Sequence, residues 1–150
     1  MPTTQRFENA IQKLYNAFHN DALIPECAKQ CAVGNILDKS DSWKYFSDAH
    51  GSTKLNYVGL VNQKFGKRFN GFTPLEILHI EKTFLKHCGY RVPLDHRNER
   101  PKDPLNKDRL FEGLCGVITY LCKLEGIPNI TDYSKLFETS KTVIKEEISI

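Results

Sequence analysis

Methionine and tryptophan occur once each in these 150 residues, and no run of about 18 apolar residues is present. The second absence excludes a helix that spans a membrane. The opening "MPTTQRFENAIQKLY" has no apolar signal region and passes straight into an amphipathic pattern, so a cytoplasmic location is expected. G-x-G-x-x-G, P-loop and G-x-S-x-G patterns are all missing, which argues against a nucleotide held by a known glycine loop and against a serine elbow. Charge is also in short supply: the net value is only +3, too little to imply a nucleic-acid partner without a concentrated patch. Strand-like alternation is scarce, and there is no internal repeat or low-complexity segment.

What is present is helical periodicity. Phe7, Ile11, Leu14 and Phe18 recur at helical spacing, with Thr3 or Thr4 as cap. Pro25 reads as the start of a short helix that Gly34 would stop. Ser40 is a candidate cap for a segment with Trp43 and Phe46 on one side, and Val58, Val61 and Phe65 mark a further helix. Thr73, Pro74 and Glu76 spell a capping box with proline at the first helical position. The helix that follows carries Ile77, Phe84 and Cys88 on one side and stops at Gly89. Residues 90–106 hold three prolines and many charges and read as a long surface connection. A long helix then bears two neighbouring apolar stripes, Leu110, Leu114, Val117, Leu121 and Phe111, Cys115, Ile118, Cys122, as a helix at the middle of a bundle should. Thr131 can cap a last short helix through Leu136 and Phe137, leaving 138–150 as a tail. The expected fold is all-α: one domain over 1–150, an irregular bundle of about six or seven helices.

Five cysteines in a reducing compartment, an odd number, point to free thiols, catalysis or metal rather than disulfides. Cys27 and Cys31 are four apart, so on a helix their Cβ atoms would lie about 5–6 Å apart on one face. Early in a helix, both would favour the thiolate that binds metal. Cys88 sits at a helix end. Cys115 and Cys122 are seven apart, about 10 Å along the axis, too far for a disulfide and long for one zinc ion. Dispersed thiolates suit a cubane cluster better. The expectation is therefore an iron–sulfur centre, 4Fe-4S favoured, on Cys27, Cys31, Cys88 and Cys115, with Cys122 as spare or alternative. Zinc on Cys27, Cys31, Cys88 and a histidine is the alternative. Against both stands a simpler reading in which cysteines fill the core, as they often do.

Other chemistry is thinner. His19, His50, His79, His87 and His96 are scattered, and His79 is expected to face outward. Asp48 and His50 in "SDAHG" lack an identifiable third partner. A cysteine nucleophile with His87 or His19 as base has nothing to position it. The loop "QKFGKRFNGF" interleaves Lys64, Lys67 and Arg68 with Phe65, Phe69 and Phe72, the makings of a metal-free adaptor that binds protein or RNA through residues 64–72. Solvated cations above phenylalanines that anchor the loop are the plainer account, and nucleic acid is not the expected partner.

The stretches "YNAFHNDALIPECAKQCAVGNILD" and "LNYVGLVNQKFGKRFNGFTPLEILHIE" resemble a group of short bacterial proteins that share the name of the sodium-translocating NADH-quinone reductase, in particular of its flavin- and ferredoxin-bearing component. The resemblance covers most of the chain. It implies a redox or iron–sulfur association, an unidentified redox partner and, for any enzyme, an oxidoreductase component. The C-x4-C-x2-C spacing of plant-type ferredoxins and a flavin-binding pattern are absent here, so it carries over no catalytic residue.

Overall fold

The computed structural model describes residues 4–94 and 99–126. Their order is α1 (Gln5–His19), α2 (Ala32–Ile36), a 3-10 turn (Ser42–Phe46), α3 (Tyr57–Lys64), α4 (Pro74–His87) and α5 (Lys107–Glu125). The fold is all-α, with five α-helices among the described residues and no sheet, slightly fewer than the six or seven expected. The helix expected through Leu136 and Phe137, the tail 138–150 and His96 lie outside the described residues.

Local chemistry starts these helices where the residue pattern places them. Thr4 Oγ1 accepts from Phe7 N at 3.3 Å to open α1, which buries Phe7, Ala10, Ile11, Leu14, Ala17 and Phe18 along one stripe. At α4 the capping box is complete: Thr73 Oγ1 accepts from Glu76 N at 3.2 Å, and Glu76 Oε1 accepts from Thr73 N at 2.9 Å. Asn106 Oδ1 caps α5 by accepting from Asp108 N and Arg109 N, and Gly126 ends that helix at φ 68°.

The α4–α5 pair forms the most extensive helix contact. Glycine makes it possible. A Cβ on Gly113 would stand 2.3 Å from Cys88 Sγ and 2.9 Å from the Phe84 ring, and one on Gly116 would stand 2.3 Å from the His87 ring. Arg6 then ties α1 to both helices. Its Nε meets Glu125 Oε1 at 2.6 Å, its Nη1 meets Glu76 Oε1 at 3.1 Å and the Gly71 carbonyl at 3.0 Å, and the guanidinium lies over the Phe72 ring.

Two elements depart from the sequence pattern. Pro25 opens a series of turns rather than a helix; the helix begins at Ala32, with Cys31 as its cap. Gly34 lies within that helix, because a Cβ there would fall 2.4 Å from the Ala28 carbonyl of the turn folded over it. In α3, the apolar Val58, Val61 and Phe65 do not form the buried side. Only Gly59 is buried, pressed against the Phe46 carbonyl, where a Cβ would sit at 2.3 Å.

Gly113→Ala should therefore destabilise the fold. The helix-propensity gain of about 1 kcal/mol is outweighed by overpacking of about 1–3 kcal/mol. Urea unfolding should show a lower midpoint for Gly113→Ala, and the added loss should shrink in the Cys88→Ala background, where the sulfur it meets is gone.

Candidate metal centre

A single acidic residue interrupts the apolar stripe of α4. Glu81 follows Ile77 by four positions and precedes Phe84 by three, which turns its side chain inward with theirs. It is 0 % exposed. A buried carboxylate is costly unless hydrogen-bonded and paired, and the fold supplies partners from two other segments. Val33 N, in the first turn of α2, donates to Glu81 Oε1 at 3.3 Å. His50 Nε2 and Glu81 Oε2 share a hydrogen bond of 2.5 Å.

Cys31 completes the group. Its thiol, fully buried, faces the Ala28 carbonyl at 3.6 Å and receives Gly34 N at 3.4 Å. One donor atom from each of Cys31, His50 and Glu81 lies within 4.8 Å of the other two. Among the described residues this is the one group of three or more potential ligands that converges so closely. A thiol, an imidazole and a carboxylate from three separate segments are the donor types of zinc sites.

The surroundings hold each donor in place. Asn35 Nδ2 donates to the carbonyls of Ala22, Gln30 and Cys31, which fixes the turn leading into the cap. Trp43 Nε1 donates to the Ala28 carbonyl at 2.9 Å, and its ring meets the His50 ring edge-on at 5.3 Å between centroids. Leu94 N donates to the His50 carbonyl at 2.7 Å, so the connection after α4 crosses this loop. Tyr90 and Arg100 reach the same turn through Glu26, at 3.0 and 3.1 Å. Burial, the neighbouring Glu81 charge and its hydrogen bond together hold the Cys31 thiol well above its ordinary pKa, against a smaller opposing pull from the Gly34 and Val33 amides. A nucleophilic cysteine needs the reverse arrangement, a thiolate beside a base. Here the Glu81 carboxylate stands beside the thiol and raises its pKa.

Of the residues singled out in the sequence, Cys31 and His50 join the group, and Cys27, Cys88, Cys115 and Cys122 stand outside it. None of the five cysteines is in a disulfide. Cys27 is half-buried in the turn preceding α2, and its carbonyl accepts from Cys31 N at 2.7 Å. Cys88 caps the C-terminus of α4 and is packed against Gly113; burial, then the Glu81 charge, pushes its thiol up to about 12. Cys122 is buried in the core, where burial raises its pKa. Cys115 lines a surface hollow of about 410 Å³ with His87, Glu112 and Tyr120. His79 is half-buried and stacks on Tyr120, so it does not simply face outward. Asp48 belongs to a different contact, accepting from Asn56 Nδ2 at 3.2 Å. Sequence reasoning passed over Glu81, although an acid in the middle of an apolar stripe was the signal that could have found it.

Comparison with known proteins adds no assignment: no family model, curated protein or solved structure matches this chain.

Glu81→Ala should cost about 3 kcal/mol, because Val33 N–H and the His50 ring lose a buried acceptor; equilibrium urea unfolding measures it. A pH effect follows from the thiols. Cys31, Cys88 and Cys122 all have folded pKa values raised above 9.0. The unfolded chain thus ionises first, and stability present below pH 9 falls as pH rises toward about 12. The urea midpoint should drop between neutral and strongly alkaline pH, and less steeply in Cys88→Ala.

Proposed function

We propose that this protein is a metal-binding module whose Cys31, His50 and Glu81 hold a divalent ion of the zinc class. The observation that carries this reading is the convergence of those three donor atoms within 4.8 Å of one another in the interior. Zinc takes sulfur, nitrogen and oxygen donors together and imposes little geometric demand of its own. The ion would link the cap of α2, the loop after the 3-10 turn and the middle of α4, so binding and folding stability would be coupled. With Cys31 and Glu81 fully buried, the role that fits is structural or sensory rather than turnover of a large substrate.

An iron–sulfur centre serving electron transfer or redox sensing is the second reading. It rests on five cysteines outside any disulfide and on Cys31 and Cys88 both lying within reach of the Glu81 charge. Clusters are held mainly by thiolates, and a group with a single thiolate favours zinc over a cluster at this position.

Metal analysis after anaerobic purification separates the readings. Zinc or cobalt should bind at one equivalent, and cobalt should give a thiolate charge-transfer band that Cys31→Ser abolishes and Cys115→Ser keeps. Zinc at about a hundred times its dissociation constant should add about 2.7 kcal/mol to unfolding. A brown protein with iron and sulfide would favour the cluster. Binding that survives both Cys31→Ser and His50→Ala, or no metal binding at all, would overturn the proposed site.

A further inference from the structure

Among the described residues, exposed large apolar side chains gather on the outward face of α3 and at its C-cap, and the candidate metal centre does not explain them. Tyr57 is 80 % exposed, Phe65 77 %, Leu60 46 % and Val58 45 %. These side chains point outward because the helix meets the core through the backbone at Gly59, leaving no interior on that side to receive them. The face continues onto its neighbour. Leu75 N donates to Gln63 Oε1 at 3.0 Å, which sets exposed Leu75 beside the end of α3. Isolated exposed apolar residues need no explanation, but a grouping of this kind marks an interaction site.

Charge identifies the partner's chemistry. From Ala49 to Leu75 the chain has no Asp or Glu, yet it carries Lys54, Lys64, Lys67 and Arg68. All four are exposed. The acids that flank this segment are engaged: Asp48 accepts from Asn56, and Glu76 is bound by Arg6 and its own helix cap. Phe69 and Phe72 do not add to the face. Phe72 is buried, and Phe69 packs against Phe46 at 5.1 Å between centroids, so the loop after α3 offers its cations but only Phe65 of its rings. Val58, Leu60 and Leu75 are aliphatic and suit the apolar side chains of a protein, whereas the rings of Tyr57 and Phe65 are the part of the face on which bases can stack.

We propose that this face docks an acidic amphipathic helix of a partner protein, whose apolar residues cover Tyr57, Leu60 and Phe65 while its carboxylates meet Lys64, Lys67 and Arg68. Helix-on-surface recognition of this type reads apolar anchors at i, i+3/i+4 and i+7, with charge setting partner choice.

The test is selection from a displayed library of random peptides about 16 residues long, roughly four helical turns. Peptides enriched on the full chain should combine Asp or Glu with Leu, Phe or Trp at helical spacing. Their affinity should fall at least about tenfold for Phe65→Ala and for Lys64→Glu/Lys67→Glu. Both variants alter exposed side chains, and an unchanged urea midpoint verifies that they fold. Salt should weaken the charged contribution. The proposal is overturned if no peptide is enriched, if enriched peptides lack acidic residues, or if both variants bind as the wild type does. Tighter binding of oligouridylate or phosphatidylserine vesicles through the same residues would overturn it too.

Discussion

The interior of this protein is organised around one carboxylate. Glu81 lies on the buried stripe of α4, where transfer from water is unfavourable by several kcal/mol unless partners are supplied. An amide from α2 and an imidazole from the loop after the 3-10 turn supply them, with a thiol alongside. The amide and the thiol come from a five-residue helix and its cap, and the imidazole from a loop. The turn before α2 depends on Asn35, and the His50 loop depends on Leu94 and on the ring of Trp43. The same polar contacts that make Glu81 tolerable therefore give these irregular segments a defined position. That is why a metal-ligand set and a structural node coincide at one place.

Around this node, glycine decides how close elements come. Gly34 admits the Ala28 carbonyl, Gly59 admits the Phe46 carbonyl, and Gly113 admits the Cys88 sulfur. The consequences differ. At Gly34 close approach encloses Cys31. At Gly113 it lets α4 and α5 pack deeply enough to bury Cys88. At Gly59 it turns a helix inside out: the backbone seals the interior, and the side chains that would have filled it face outward. The exposed face of α3 and the buried Cys31–His50–Glu81 group both follow from backbone packed where a side chain would ordinarily intervene.

Much of the helical architecture was legible in the residues. The stripes of α1 and α5, the Thr4 cap and the Thr73–Glu76 capping box all appear where periodicity and capping chemistry place them. Such signals are local: a cap is satisfied within four residues, and a stripe is a property of one helix. The departures came where the outcome depended on a distant neighbour. Pro25 and Gly34 are helix punctuation in isolation, but the turn between them folds back over α2 and uses Gly34 for clearance instead. Val58, Val61 and Phe65 have the spacing of a buried side, yet Gly59 gives α3 a closer contact with the core than those bulkier residues permit.

The candidate site divides in the same way. The residues alone drew attention to Cys31 and to the cations interleaved with rings in "QKFGKRFNGF", because composition and spacing are visible one segment at a time. His50 stands out in the sequence only beside Asp48, with no third partner, and Glu81 does not stand out at all. Only the folded chain put them beside Cys31, since their convergence depends on how α2, the 3-10 turn and α4 cross, which no short-range pattern encodes. Which segments are helical, and which of their faces are apolar, was written into the residues through backbone propensity and side-chain period. Which face is buried, and which polar groups meet, was settled by tertiary packing, because close contact and the need to satisfy a buried carboxylate act between segments far apart in the chain.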